Sequence, residues 1–170
     1  DFVSAESAIQ QYLKDVSAPP VKFACLAVAG PVAAGKASLT NNRWLFDEAS
    51  LRAALSCDRV KLLNDFQAAA LGMAELGPAD LTPVGKAGLP DLRQTDFVTA
   101  VVGPGTGFGA ATLIKRDGRL TSLSGEAGHV GFAPENLLQV ELLASLANEF
   151  GRVSDERLVS GSGLVNIYQF

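Results

Sequence analysis

Apolar residues in the first half of the chain follow two different spacings. In Ala5–Asp15 they recur at every third or fourth position, which predicts a helix. Asp47 precedes Glu48–Leu55, and because aspartate is a favoured N-cap, a second helix is expected there. A third, apolar helix is expected from Phe66 to about Glu75. Compact apolar runs predict four strands, at residues 22–29, 36–40, 44–46 and 60–63.

The second half begins with three further apolar runs. Asp117-Gly118 between the last two is a strong hairpin signal. Leucines at every fourth position predict a helix over Leu137–Phe150, with Gly151 as its C-cap. Two short helices are expected after it, separated by Gly161-Ser162-Gly163. The predicted strands lie at residues 97–102, 110–115 and 119–122, and the short helices at 154–159 and 164–170.

Mixed strands and helices indicate the α/β class. A connection rich in Gly and Pro separates the two halves, which predicts a small lobe at residues 1–75 and the start of a larger lobe at residues 76–170.

Composition narrows the possible partners. The net charge is −4, and no cluster of Lys and Arg stands out, which argues against nucleic acid and anionic membranes. No apolar run has the roughly 18 residues that a membrane-spanning helix needs, and the first residues lack a signal-peptide pattern. Cys25 and Cys57 have neither metal-site nor redox spacing, and Cys25 is expected to be a small buried hydrophobe. A cytoplasmic location is the simplest interpretation.

Two segments at predicted strand ends carry candidate chemistry. Asn64-Asp65-Phe66 puts a carboxylate after an apolar run, where it can accept a proton from a hydroxyl group. Residues 103–109 form a glycine-rich loop after another run, and glycines let backbone amides approach phosphate oxygens. Together they predict phosphoryl transfer to an alcohol. The alternatives are that Asp65 is a helix N-cap and that the glycines form an ordinary turn.

A third segment indicates which alcohol. Glu126 and His129 lie three residues apart in a glycine-rich setting, and carboxylates and imidazoles are good acceptors for sugar hydroxyls. The alternative is that His129 is a structural residue. Glu156 lies in Asp155-Glu156-Arg157, which could equally be a solvated helix start.

Two near-matches to nucleotide motifs are misleading. Gly30 to Lys36 resembles a phosphate-binding loop, but Ala37 stands where a hydroxyl is needed and a strand is predicted to follow instead of a helix. Gly105-x-Gly107-x-x-Ala110 matches a dinucleotide fingerprint, which also requires a following helix, whereas a hairpin is predicted here.

Six segments, taken in order, resemble the bacterial-type ATP-dependent glucokinases, within the superfamily of hexokinases and actin-like ATPases. They are residues 28–32, 40–44, 63–66, 103–109, 125–129 and 160–166. The resemblance implies a two-lobed, actin-like architecture of the ribonuclease H-like type that is incomplete at both ends. The family's first phosphate loop would precede residue 1, and its adenosine-binding segment would follow residue 170. A truncated internal fragment of this kind is expected to be inactive alone and to self-associate.

The resemblance also implies roles for individual residues. Asp65 would accept the proton of the sugar hydroxyl. The sugar would be held by Asn64, Glu126, His129 and Glu156. The second phosphate loop would contain Gly103, Gly105, Thr106 and Gly107.

The implied reaction transfers the γ-phosphate of ATP, with Mg²⁺, to the 6-hydroxyl of glucose, at the entry to glycolysis. The implied assembly is a homodimer. Residues 132–136 carry no Cys cluster after the Glu-x-Gly-His segment, so no structural zinc or other resident metal is expected. The alternative functions are a non-catalytic sugar sensor or regulator on the same scaffold and, less well matched, an actin-like structural ATPase.

Overall fold

The computed structural model describes residues 2–39, 44–86, 88–89, 92 and 96–170. Its contacts divide the chain into two compact units, Asp1–Ala68 and Ala69–Phe170, which are described separately below. The division falls between residues 68 and 69, earlier than the lobe boundary expected after residue 75. The assignment of residues 1–75 and 76–170 to a small and a large lobe stays a prediction.

The first unit is a mixed α/β arrangement around two small sheets. Strands β1 and β5 pair in parallel, from Phe23 opposite Arg59 to Val28 opposite Asn64, so both end at the same edge. Strands β2, β3 and β4 form an antiparallel sheet. The elements are α1 (Ala5–Asp15), β1 (Phe23–Val28), β2 (Val32–Ala33), β3 (Lys36–Ser38), β4 (Leu45–Asp47), α2 (Glu48–Leu55), β5 (Arg59–Asn64) and the first residues of α3 (Asp65–Met73), a helix in which the division between the units falls.

Apart from the short strand β2, which was not predicted, these elements confirm the helices and strands predicted for this half. The end of the predicted strand 36–40 and most of segment 40–44 lie outside the described residues. The core of the unit contains Leu51 of α2 and Leu62 of β5, both almost completely buried. The turn between β2 and β3 has positive φ angles at Ala34 and Gly35. A strand follows it, so the phosphate-loop interpretation of Gly30 to Lys36 is correctly excluded.

The expectation that Cys25 is buried was wrong. Cys25 is exposed, whereas Cys57 is buried with its thiol 3.7 Å from the Arg59 carbonyl oxygen. Side chains along a strand alternate between its two faces, and in β1 the buried Val28 and the exposed Cys25 lie on opposite faces. A compact apolar run therefore did not mean that both faces are covered.

Asp47 caps α2 as predicted. One carboxylate oxygen accepts hydrogen bonds from the amides of Ala49 and Ser50 at 2.8 and 3.2 Å. The other lies 3.1 Å from the ammonium group of Lys36. The hydrogen bond from Lys36, followed by those from Ser50 and Ala49, lowers the pKa of the Asp47 carboxyl.

We expect Asp47→Ala to lower the urea midpoint of unfolding of the full-length protein more than Asp47→Asn at pH 7, because asparagine still caps the helix. The difference between wild type and Asp47→Asn should disappear as the pH falls through the lowered pKa, below the ordinary value of 3.8, where the carboxyl becomes protonated. Circular dichroism in urea measures both effects. Equal midpoints for wild type and Asp47→Ala at pH 7 would contradict the expectation.

Among the residues that the structure describes, the second unit contains the end of α3, a three-stranded antiparallel sheet and two further α-helices. Strands β6 (Phe97–Pro104), β7 (Phe108–Arg116) and β8 (Arg119–Gly125) pair in sequence order. The turn between β7 and β8 has Asp117 and Gly118 at φ values of 50° and 71°, which confirms the predicted hairpin. Helix α4 (Leu137–Phe150) has the predicted bounds, is capped by Asn136, and buries Leu142 and Leu146.

Helix α5 (Gly161–Gln169) begins earlier than expected. The sequence predicted that Gly161-Ser162-Gly163 separates two helices, but these residues form the first turn of α5. Ser160 caps this turn by accepting the Gly163 amide at 3.0 Å. A Cβ on Gly163 would lie 2.4 Å from the backbone of Leu158, so the glycine permits close packing instead of interrupting the helix. The other predicted short helix is a 3₁₀ turn, Asp155–Arg157.

Within the described residues, no helix is both long enough and apolar enough to cross a membrane.

Candidate functional site

Asn64 organises the end of β5. Its side-chain oxygen accepts hydrogen bonds from the amides of Phe66 and Gln67, at 3.0 and 3.2 Å. Its side-chain nitrogen donates to the Gly30 carbonyl oxygen at 3.2 Å. Asn64 therefore caps the start of α3 and ties the end of β5 to the turn that follows β1.

Asp65 is the first residue of α3, and it is exposed. One carboxylate oxygen accepts the amide of Phe66 at 2.9 Å, an amide that Asn64 also contacts. The alternative in which Asp65 is the N-cap is therefore not what the structure shows, because Asn64 satisfies the first amides of α3. The Asp65 carboxylate remains accessible at the carboxyl end of the parallel β1–β5 pair.

In the second unit, His129 lies between two carboxylates. Its Nδ1 is 3.2 Å from an oxygen of Glu126, and its Nε2 is 4.0 Å from Oε1 of Glu156. Glu126 directly follows β8, and His129 ends the 3₁₀ turn Ala127–His129. These three side chains, which the sequence analysis named as candidate sugar contacts, lie within reach of one small polar ligand.

Backbone contacts join the turns that carry His129 and Glu156. The amide of Asp155 donates to the Val130 carbonyl at 3.0 Å, and the amide of Phe132 donates to the Val153 carbonyl at 3.1 Å. The positions of the imidazole and of the Glu156 carboxylate therefore depend on backbone pairing as well as on side-chain contacts.

Arg152 is a neighbour of this group that the sequence analysis missed. Its guanidinium donates to the His129 carbonyl oxygen at 2.5 Å. No local pattern indicates this contact, because Arg152 simply follows the C-cap of α4 in the sequence. A cavity of about 280 Å³ opens beside these residues, lined by His129, Arg152, Ser154, Glu156, Arg157 and Ser162.

The glycine-rich segment 103–109 is the end of a β-hairpin. Gly103 pairs with Gly109 and Pro104 pairs with Phe108, which leaves residues 105–107 as the connection. Strand β7 follows directly, so the dinucleotide interpretation is correctly excluded. We call residues 103–109 the glycine hairpin.

The glycine hairpin contacts the group around His129 through several atoms. Oε2 of Glu156 accepts the Phe108 amide at 2.9 Å, and the Gly161 amide donates to the Gly105 carbonyl at 2.8 Å. Gly128 packs so tightly that a Cβ there would lie 2.2 Å from the Phe108 carbonyl oxygen.

The hairpin has features that suit a phosphate group. Thr106 is exposed, and among the described residues no hydrogen bond engages the amides of Thr106 and Gly107. Consecutive amides of this kind form anion-binding concavities in proteins. The amides of Gly105 and Phe108 are already engaged, by Gly107 and Glu156, so Thr106 and Gly107 supply the available donors.

No group of three or more His, Cys, Asp or Glu residues in the described ranges is arranged to hold a metal ion. That the protein lacks a structural zinc stays a prediction.

Comparison with known proteins assigns the chain to a family. A family model described as Glucokinase matches residues 1–170. The chain belongs to the glucokinase family. Among curated relatives, the family member from Caulobacter vibrioides strain NA1000 / CB15N is 41% identical over 170 residues, covering 99% of this chain and 50% of the relative. That from Marinobacter nauticus is 38% identical over 173 residues, covering 99% of this chain and 51% of the relative.

Solved structures of glucokinases resemble the fold. A glucokinase from an Antarctic psychrotroph aligns with a TM-score of 0.84 at 38% identity, over 99% of this chain and 51% of that one. A Balamuthia mandrillaris glucokinase, solved in complex with glucose, aligns with a TM-score of 0.64 at 23% identity, over 96% of this chain and 50% of that one. The chain thus spans about half the length of the glucokinases that it matches, and it has the mixed α/β fold of that half.

The predicted site residues fall into two groups. Glu126, His129, Glu156 and the glycine hairpin come together in the second unit, through the contacts given above. Asn64 and Asp65 adjoin each other in the first unit. The roles of all these residues in binding and catalysis stay predictions.

Proposed function

We propose that the full-length protein transfers the γ-phosphate of ATP to the 6-hydroxyl of glucose and so forms glucose 6-phosphate. The observation that carries the proposal is the exposed carboxylate of Asp65 in a chain of the glucokinase family. Asn64 caps α3, so an aspartate at position 65 is not needed for the helix. A proton-accepting role explains why a carboxylate stands there.

In the proposed reaction, Asp65 accepts the proton of the 6-hydroxyl while that oxygen attacks the γ-phosphorus. A bond forms between the sugar oxygen and phosphorus, and the bond from phosphorus to the β–γ bridging oxygen breaks, so ADP leaves. Mg²⁺ supplies charge neutralisation on the phosphate oxygens in reactions of this class. Among the residues of this chain we assign none as its ligand.

The sugar is proposed to bind at Glu126, His129 and Glu156, because carboxylate oxygens and one nitrogen of a neutral imidazole accept hydrogen bonds from hydroxyl groups. Asn64 is proposed to bind the sugar through its side-chain nitrogen only, because its amide group already makes three hydrogen bonds to Phe66, Gln67 and Gly30. One N–H of its side chain remains for a hydroxyl.

The phosphates of ATP are proposed to bind at the glycine hairpin. The amides of Thr106 and Gly107 are the donors, and Gly103 and Gly105 keep the surrounding backbone free of Cβ atoms. The complete protein is further proposed to have two lobes of the actin-like type and to be a cytoplasmic homodimer. These last points rest on the family resemblance.

The proposal is tested with the full-length protein, glucose and MgATP. Glucose-6-phosphate dehydrogenase with NADP⁺ detects the product and accepts only the 6-phosphate. We expect NADPH to form with glucose, and we expect no ADP release with 6-deoxyglucose, which lacks the acceptor oxygen. Binding of glucose without any turnover would favour the sugar-sensor alternative and would contradict the kinase proposal.

A further inference from the structure

Glu156 has a second contact that its predicted role in sugar binding does not explain. One oxygen of its carboxylate, Oε2, accepts the Phe108 amide of the glycine hairpin at 2.9 Å. The other oxygen, Oε1, faces His129 Nε2 at 4.0 Å. The two residues joined by the shorter contact are 48 positions apart in the sequence, so this carboxylate links two distant segments.

Gly107 allows this link to form. A Cβ placed on Gly107 would lie 2.5 Å from Oε2 of Glu156, which is closer than real Cβ contacts. A Cβ on Gly105, in the same hairpin, would find its nearest neighbour at 4.0 Å. Neither glycine has the positive φ that would itself disfavour alanine. A side chain at position 107 would therefore displace Glu156, whereas a side chain at position 105 would not contact it.

We propose that Glu156 is a positioning residue that couples the binding of sugar and of nucleotide by holding the glycine hairpin with one oxygen and facing the sugar with the other. This inference rests on the proposed function. A sugar hydroxyl bonded to Oε1 restricts the rotation of the carboxylate, and the same restriction fixes Oε2 on the hairpin. Nucleotide then binds to a hairpin that is already ordered, and less conformational entropy is lost.

Coupling of this kind is reciprocal, so nucleotide must tighten sugar binding by the same factor. The hairpin is fixed at two further points, by the hydrogen bond from Gly161 to Gly105 and by the packing of Gly128 against Phe108. Glu156 differs from these contacts because its other oxygen remains 4.0 Å from the imidazole, on the side where the sugar is proposed to bind.

The first test changes the hairpin and measures the sugar. Calorimetry on the full-length protein gives the dissociation constant of glucose with and without a non-hydrolysable ATP analogue. Without nucleotide, we expect Gly107→Ala to weaken glucose binding by about five-fold or more. Gly72→Ala is the control, because Gly72 is an exposed glycine of α3 where a Cβ would meet no atom within 4 Å, and it should leave that constant unchanged. In Gly107→Ala the analogue should also tighten glucose binding less than it does in wild type.

The second test changes Glu156 and measures the nucleotide. Without glucose, Glu156→Ala should weaken binding of the analogue, and Glu156→Gln should restore most of it because a carboxamide oxygen still accepts the Phe108 amide. If Glu156 contacted only the sugar, neither substitution would change the affinity for the analogue in the absence of glucose. If thermal unfolding shows that Gly107→Ala does not fold, the comparison of Glu156→Ala with Glu156→Gln tests the coupling by itself.

Each outcome has one meaning. Wild-type protein that does not bind glucose would overturn the proposed function and the coupling together. Wild-type protein that binds glucose, with Gly107→Ala binding it equally well, would overturn the coupling alone. Unchanged affinity for the ATP analogue in Glu156→Ala would also overturn the coupling and leave the proposed function standing.

Discussion

Asp65→Asn is expected to lower kcat of the full-length protein by about 100-fold or more, since general-base catalysis typically contributes that much. Asparagine keeps the shape of the side chain and can still accept the Phe66 amide, but it has almost no basicity. Glucose affinity should change much less than kcat, because Glu126, His129 and Glu156 are intact. Steady-state kinetics together with calorimetry separates the two effects.

Asp58→Asn is the matched control for this variant. Asp58 is an exposed aspartate that immediately precedes β5, whereas Asp65 immediately follows it. The same chemical change is thus made at opposite ends of one strand. Asp58→Asn should keep wild-type kcat. An Asp65→Asn variant with near-normal kcat would reduce Asp65 to an accessory contact of the α3 amino terminus.

His129→Ala is expected to weaken glucose binding by about ten-fold, which corresponds to the loss of one hydrogen bond to a charged or strongly polar group. The imidazole lies between Glu126 and Glu156, so its removal also leaves both carboxylates without their neighbour. Binding of the ATP analogue should change less. Calorimetric titration with each ligand gives the comparison.

Glu126→Ala should also weaken glucose binding. Glu149→Ala is the matched control for this variant. Glu149 is an exposed glutamate on α4 that the sugar site does not include. Both substitutions remove one surface carboxylate, so a general effect of charge would appear in both. Unchanged glucose affinity in His129→Ala or in Glu126→Ala would remove that residue from the proposed site.

Helices and turns that depend on interactions between residues close in sequence could be predicted from the sequence. Helices α1, α2 and α4 have the predicted bounds, because apolar spacing and a capping residue define each of them locally. The hairpin at Asp117-Gly118 was predictable because two consecutive positive φ angles strongly favour those residue types. In each case the decisive interaction is made within a few residues of the chain.

Features that depend on distant neighbours were not predictable. Gly163 looks like a helix breaker, and only its closeness to the Leu158 backbone explains why α5 includes it. The apolar surroundings of Cys25 could not reveal that its face of β1 is open. The contact from Arg152 to His129 joins positions 23 residues apart, and no periodicity encodes it.

The sequence analysis named the candidate site residues, but it did not predict the hydrogen bonds between them and the glycine hairpin. The resemblance named Glu126, His129 and Glu156 together, and the structure brings them together. It gave no indication that Glu156 also bonds to the amide of Phe108. The local sequence shows which chemical groups are present. It does not show that the Glu156 carboxylate contacts two separate segments, because those contacts form only when the chain folds.

The capping of α3 by Asn64 has an evolutionary consequence. Where the same side chain both caps a helix and performs the chemistry, substitutions such as Asp→Ala that remove the chemistry also destabilise the helix. Here the Phe66 and Gln67 amides keep their acceptor when residue 65 changes. On the proposed role of Asp65, one substitution at that position removes the proton acceptor and leaves α3 capped, which gives a folded protein that binds glucose without phosphorylating it. A change from sugar kinase to sugar sensor at residue 65 would then require no new cap for α3.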